Sequence, residues 1–317
     1  MRKLKLIKNL KVGEIVDDIF VVKFKKPVQE YSRGYKFELR IGDSSGEIML
    51  KFWGDNNKEF IEEIYNSIKK DSIIFIKGIV NQYNRRLEIS VNNPTAIKKC
   101  QDYSPEDFIL TTEKNIEIMF GELMGIIKSI ETPLYKQILN SFFDDSKFVK
   151  KFKFSPAAMY KHHGWLGGLL EHTLNVVNLC RSFLAVHKDM DKDLLLTGAI
   201  LHDLGKIKEF EVLSSIKVSK LGMLKGHIIL GSEIISKRMD ELGIKEEDGL
   251  KLIHIILSHH GKMEYGSPKL PAFPEAIAVY YADDIDAKLT QMIKTKKEAI
   301  TEDDYVFTKD FGNIYLN

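Results

Sequence analysis

Apolar residues alternate with polar ones through the first hundred positions and recur every three or four positions after that. Ile15–Lys25 is rich in Val, Ile and Phe, and Tyr35–Ile41 alternates. After the turn Gly42-Asp43-Ser44-Ser45-Gly46, Glu47–Trp53 alternates again. These segments predict three strands. Asn57–Lys69 carries Phe60, Ile61, Ile64 and Ile68 at helical spacing. Ile73–Val80 is a short apolar run, and Tyr83-Asn84-Arg85-Arg86 is a turn leading into Leu87–Val91. Asn92–Thr112 is polar, holds Pro94 and Pro105, and is expected to link two domains. From Glu113 the period is helical. Ile116, Met119, Phe120, Leu123, Ile126, Ile127 and Ile130 form one stripe, continued by Tyr135, Ile138, Leu139, Phe142 and Phe143. Further helices are predicted at about 166–187, 192–203, 228–242, 247–260 and 273–297. Between Ile207 and Gly226 the pattern loosens around Gly222 and Gly226, as in a loop or hairpin.

Three strands, a helix and two strands is the order of a five-stranded OB barrel, which carries a helix between its third and fourth strands. A length of 317 residues suggests two domains. The expected fold is therefore multidomain, an N-terminal all-β OB-fold barrel followed by a C-terminal all-α helical bundle. The expected divisions are a barrel over 1–95, a linker over 96–112, a helical domain over 113–300 and a polar tail over 301–317. At 44% hydrophobic and 29% charged residues the chain has the composition of a soluble globular protein. It holds no run of 18 uncharged apolar residues, so no transmembrane helix and no membrane partner are expected. Met1 to Lys8 lacks the apolar run of a signal peptide. Cys100 and Cys180 are far apart and read as free thiols in a reducing, cytoplasmic compartment. Net charge is +2, but residues 1–100 hold 20 basic and 13 acidic side chains, against 27 and 32 in the remainder. A basic module joined to an acidic one points to a polyanion met by the first half.

All nine histidines fall between His162 and His260, none of them in the basic half. They come in an ordered set with acidic residues: Glu171-His172, then His202-Asp203-Leu204-Gly205-Lys206, then Gly226-His227, then His259-His260-Gly261, then Ala282-Asp283-Asp284-Ile285-Asp286. A lone His-Asp pair is weak, but this series is not, because each member lies on or at the end of a predicted helix that can hold a ligand rigidly. Neutral imidazole with carboxylate suits first-row divalent metals, Mn, Fe, Co, Ni or Zn, over Ca. An Asp between two such ions can offer one oxygen to each, and a pair of ions can share a hydroxide and clamp a phosphodiester. The candidate metal ligands are His172, His202, Asp203, His227, His259, His260 and Asp283. Lys206, four residues after His202, is expected on the same helix face and could hold a phosphate oxygen. Asp203 and Lys206 are thus the candidate catalytic pair. His163, followed by Gly164-Trp165-Leu166-Gly167-Gly168, is a candidate substrate contact. His162, His187 and His254 read as structural or surface histidines. Asp286 shares a face with Asp283, and Asp284 points to solvent.

At these residues the sequence resembles the HD superfamily of phosphohydrolases, and more narrowly the YhaM-type 3′→5′ exoribonucleases, which join an N-terminal OB fold to a C-terminal HD domain. The resemblance is carried by Gly168-Leu169-Leu170-Glu171-His172-Thr173, His202-Asp203-Leu204-Gly205-Lys206, Gly226-His227-Ile228, His259-His260-Gly261, Pro274-Glu275-Ala276 and Asp283 to Ala287. It implies a manganese-favouring nuclease that hydrolyses single-stranded RNA, with single-stranded DNA as a second candidate, by attack of a metal-bound hydroxide, releasing nucleoside monophosphates. In that pattern His172, His202, Asp203 and Asp283 match the HD metal set. His227, His259 and His260 match positions that hold a second ion in binuclear members, so one or two ions are expected.

In the basic half, aromatics interleave with cations. Tyr31, Arg33, Tyr35, Lys36, Trp53, Tyr83, Arg85 and Arg86 are the candidate nucleic-acid contacts, since OB folds stack bases on aromatics within a basic groove. Phe37 and Phe52 are expected in the core, because alternation buries every second residue. Two other functions are compatible with the sequence. One is an HD hydrolase of small nucleotides, a cyclic dinucleotide or a nucleoside triphosphate, regulated by its OB part. The other is a single-strand-binding protein whose HD part is silent. A homo-oligomer is compatible with each reading.

Overall fold

The computed structural model describes residues 1–159 and 163–316. The chain divides into two compact units, Met1–Leu110 with Val212–Ser215, and Thr111–Glu211 with Ile216–Asn317.

In the first unit β1 (Ile15–Tyr31), β2 (Gly34–Asp43) and β3 (Gly46–Trp53) run as successive antiparallel hairpins. Helix α1 (Lys58–Ser67) follows, capped by the Asn57 side chain on Phe60 N. Then come β4 (Ile73–Tyr83), β5 (Arg86–Val91) and β6 (Ile97–Cys100). Strand β3 pairs in parallel with β5, β5 pairs with β4, and β4 returns to β1, which closes the OB fold. Strand β1 can take part at both ends because it is 17 residues long and bends at two register shifts, Val22/Phe24 and Lys26/Gln29. The alternation seen in the sequence fills the interior. Phe37, Leu39 and Ile41 of β2 face Ile48, Leu50 and Phe52 of β3, and the rings of Phe37 and Phe52 stack at 4.8 Å. The stretch 92–112 is not all linker, because Ile97–Cys100 adds a sixth strand on β4, in register Ile73↔Cys100.

The second unit is helical. Its elements are α2 (Ile116–Lys128), α3 (Pro133–Phe143), α4 (Ser146–Phe154), α5 (Gly168–Val186), α6 (Lys192–Leu201), α7 (Lys206–Glu209), a hairpin of β7 (Phe210–Val212) and β8 (Ile216–Val218), α8 (Lys220–Glu241), α9 (Glu246–Ser258) and α10 (Pro274–Glu298). Helix α6 is buried from Asp193 to Leu201, which is the signature of a helix packed on all sides. It packs against α5, α9 and α10, so its C-terminal end is delivered to the middle of the bundle. Asp191 caps its first turn, and Asp193 accepts from the backbone N–H groups of Glu131 and Thr132.

Besides β6, three elements differ from the sequence expectation, the first being α4, which answers to no predicted helix. Helix α8 begins at Lys220, where Ser219 caps Gly222 N, instead of near 228. Gly226, at φ +70°, interrupts it. Two glycines in seven residues had diluted the apolar period there. Residues of the expected tail form a hairpin, β9 (Tyr305–Thr308) with β10 (Gly312–Tyr315), whose Ile314 is buried. Strands of four residues are too short to show a period. Among the described residues no helix is long and apolar enough to cross a membrane, and Cys100 and Cys180 are both free.

Phe37→Ala would delete one ring of the barrel stack and is expected to cost about 3–5 kcal/mol. Urea denaturation followed by Trp53 emission in a Trp165→Phe background reads this directly as a lower midpoint.

Candidate metal centre

Five imidazoles and two carboxylates meet in the helical unit, and each arrives from a helix or a helix end. His172 projects from α5, and Asp283 from the middle of α10. His202 and Asp203 follow the last residue of α6, and His259 and His260 follow the last residue of α9. His227 comes directly after the Gly226 break in α8. Gly205 brings the α6–α7 turn against α8 so closely that a Cβ there would lie 1.9 Å from the His227 carbonyl oxygen. No other residue permits that approach.

The geometry of the rings is uniform. His202 Nδ1 donates to Ala199 O at 2.8 Å, His259 Nδ1 to Ile256 O at 2.7 Å, and His260 Nδ1 to Tyr265 O at 2.9 Å. His172 Nδ1 donates to Asp286 Oδ2 at 2.7 Å, and His227 Nδ1 faces Glu209 Oε2 at 3.1 Å. Nδ1 of His172, His202, His259 and His260 is thus taken by a hydrogen-bond acceptor, and every Nε2 points inward, offering a lone pair wherever its ring is neutral. Two pairs of these nitrogens approach to 3.2 Å, His172 with His202 and His227 with His260. Neutral acceptors repel at such a distance unless a cation or proton lies between them.

Asp203 stands between the two pairs. Its Oδ2 lies 3.2 Å from His172 Nε2 and 3.4 Å from His202 Nε2, and its Oδ1 lies 3.5 Å from His227 Nε2 and 3.6 Å from His259 Nε2. Asp283 Oδ1 lies 3.1 Å from His172 Nε2. Asp203 Oδ1 and His259 Nε2 are buried without a hydrogen-bond partner, while Asp203 Oδ2 pairs with the Lys206 ammonium. The ligating atoms of His172, His202, Asp203 and Asp283 form one group, and those of His227, His259 and His260 a second, each within 4.8 Å. Donors about 2.0–2.2 Å from a common ion would be spaced in this way. The orphaned atoms, the lone-pair contacts and the mixed N/O donor set all fit divalent cations.

The electrostatics agree. Burial opposes ionisation of Asp203, but Lys206 and the surrounding imidazoles outweigh it and hold the carboxyl well below its usual range. Asp283 is also held low, against burial, by its contact with His172. Burial disfavours a charged His172, yet Asp203, Asp283 and Asp286 raise its pKa well above normal, so a proton on its Nε2 competes with a cation for that position. Burial lowers the pKa of His259 and His260, which favours their neutral, ligating form.

Several readings change in detail. Lys206 does not share a helix face with His202, because α6 ends at Leu201 and Lys206 opens α7. Its ammonium nevertheless reaches Asp203 Oδ2 at 2.5 Å. His163 is only 1% exposed and bonds Asp286 Oδ2 at 2.9 Å, behind His172 and away from its Nε2, so it is not placed as a substrate contact. His162 lies outside the described residues. His187 is exposed at the end of α5, His254 accepts from Ala272 N, and Asp284 pairs with Lys288, so none joins the cluster. Asp286, Glu209 and the Tyr265 carbonyl were not legible as partners of the histidines, since neither spacing nor residue type marks an acceptor that acts through the fold.

The barrel residues form two patches. At one, Tyr31 meets Trp53 edge-on at 5.1 Å, and Lys36 lies over Trp53 at 5.2 Å. At the other, Tyr83 is 60% exposed with Lys51 over its ring at 4.5 Å. It lines a groove of about 920 Å³ with Phe24, Lys26, Arg40, Met49 and Arg86. Arg33 and Arg85 are exposed in the β1–β2 and β4–β5 turns. Tyr35 is half-buried, as Tyr31 and Trp53 are, and packs against the barrel core. Phe24, 51% exposed, escaped the sequence reading because it sits in a run of core residues, and the first β1 register shift turns it outward.

Comparison with known proteins places these features. The HD domain family matches residues 169–288, and the OB-fold nucleic acid binding domain family matches residues 21–96. The chain is 33% identical over 290 residues to the 3′-5′ exoribonuclease YhaM of Shouchella clausii, covering 90% of this chain and 88% of that one. It is 33% identical over 282 residues to the protein of the same name from Bacillus subtilis, covering 89% and 87%.

Stripping divalent cations with EDTA is expected to lower the melting temperature. Manganese at a hundredfold excess over its Kd should restore about 2.7 kcal/mol. Asp203→Ala should abolish this manganese response, and differential scanning calorimetry measures both effects.

Proposed function

Because the chain belongs to the YhaM family of 3′-5′ exoribonucleases, we propose that it hydrolyses single-stranded RNA from the 3′ end at the His/Asp cluster, with manganese as the preferred ion. The observation that carries this reading is the inward convergence of five Nε2 atoms around a carboxylate with one oxygen toward each group. His172, His202, Asp203 and Asp283 would hold one ion, and His227, His259 and His260, with the second oxygen of Asp203, the other. Divalent ions so held supply Lewis acidity for a phosphoryl oxygen and acidify water at neutral pH.

The chain's own groups do the rest. Asp203 keeps its negative charge because Lys206 and the imidazoles surround it, so it can stay fixed between the two groups throughout turnover. The Lys206 ammonium, buried beside it, would hold a non-bridging phosphate oxygen and offset charge that grows there. In the reaction a water oxygen adds to phosphorus and the bond to the preceding ribose O3′ breaks. That oxygen leaves with a proton, and a nucleoside monophosphate is released. The Tyr83 groove, lined by Lys26, Arg40, Lys51 and Arg86, would hold the upstream strand by stacking and by phosphates that compete for the first three cations with Glu38, Glu47 and Glu88.

With manganese and 5′-labelled single-stranded RNA, purified protein is expected to give a ladder shortening from the 3′ end, together with monophosphates. Intact RNA alongside turnover of a cyclic dinucleotide or nucleoside triphosphate would replace this reading with the small-nucleotide one. Tyr83→Ala should weaken strand binding by about 1–3 kcal/mol. Lys51→Ala and Arg86→Ala should each reduce the salt slope of log affinity by about 0.7. Fluorescence anisotropy with a labelled oligonucleotide reads both effects.

A further inference from the structure

All five imidazoles are held from behind, but by unequal acceptors. His202, His259 and His260 donate to backbone carbonyls, whereas His172 and His227 face the carboxylates of Asp286 and Glu209. One of these carboxylates stands behind each group. Resting on the reading of the cluster as a two-ion centre, we propose that Asp286 and Glu209 are a pair of positioning residues, each setting the cation affinity of its own group through the imidazole it holds.

The physical basis is the difference in acceptor. A carboxylate takes the Nδ1 proton more strongly than a carbonyl does, which pushes electron density to Nε2 and fixes the ring plane. Loss of such a partner commonly costs about 10–100-fold in metal affinity. Asp286 is the more constrained of the two. Its Oδ2 accepts from His172 at 2.7 Å and from His163 at 2.9 Å, and its Oδ1 accepts from Asn175 Nδ2 at 2.8 Å. Behind His163 stands Glu171, 3.8 Å away, which itself takes Thr112 Oγ1 at 2.7 Å and Trp165 Nε1 at 3.0 Å. His163 is therefore a buttress for Asp286. Glu209 is held more lightly: it accepts from the His227 backbone N–H at 3.2 Å and meets Nδ1 at 3.1 Å as an ion-pair contact without hydrogen-bond alignment. The first group is thus built rigidly and the second loosely.

The ligating atoms of His163, His172 and Asp286 also lie within 4.8 Å of one another. A third ion there is disfavoured. His172 already offers Nε2 to the first group, and a donor N–H of Asn175 points at the carboxylate.

The test is manganese titration of the full-length protein by calorimetry, with circular dichroism to confirm folding. The parent is expected to bind two ions. Asp286→Asn should weaken one step by about 10–100-fold and leave the other, and Glu209→Gln should do the reverse. Asn175→Ala, which removes one buttress and touches no ligand, should weaken the same step as Asp286→Asn by a smaller factor, and it carries the test if Asp286→Asn does not fold. Two parent steps unchanged in the variants would overturn the proposal and leave the metal centre standing. A single parent step, or three ions falling to two in Asp286→Asn, would also overturn it. No manganese binding by the parent would instead remove the metal-centre reading beneath it.

Discussion

The helical unit is organised around an interaction that its own atoms cannot complete. Asp203 is buried, nearly stripped of water, and its Oδ1 faces imidazole nitrogens without a hydrogen-bond partner. Burying charge without a partner is among the most costly arrangements available to a protein. Lys206 answers part of that cost, and divalent cations between the imidazoles would answer the rest. The surrounding architecture serves this point. A helix buried on all faces ends there, a glycine allows the neighbouring helix within van der Waals distance, and five separate acceptors turn five rings the same way.

Much of this was visible before any coordinates. The period-two and period-three-to-four patterns separate a sheet from helices because burial on one face imposes them. The convergent histidines and aspartates stood out because buried imidazoles rarely cluster without a shared task. Three kinds of feature were hidden. Strand β6 and the β9–β10 hairpin are shorter than a readable period. The early start of α8 was masked by Gly222 and Gly226. The acceptors behind the rings are ordinary residues, and only packing brings Asp286 beneath His172 or Glu209 beneath His227. His163 illustrates the same limit, since its glycine-rich neighbourhood resembled a substrate loop while the fold turns its ring inward.

The two units solve different physical problems. The barrel hides a dry aliphatic and aromatic core and leaves rings such as Tyr83 and Phe24 at its surface among cations, a combination suited to flexible, charged polymers of any sequence. The helical unit does the opposite, placing charge inside and apolar residues around it, a combination suited to one fixed chemical operation. Selectivity for a chain end and tolerance of base identity can therefore reside in separate parts of one polypeptide.

The converging side chains are spread from His172 to Asp283, across α5, the ends of α6 and α9, the broken α8, and α10. None of the local segments contains a working subset. During synthesis most of the N-terminal unit can form early, since domains fold as units from the first end, with Val212–Ser215 joining it later. The His/Asp centre has to wait until α10 has been translated and packed. A hydrolase of RNA laid out in this order stays inert through most of the time that its own messenger is being read.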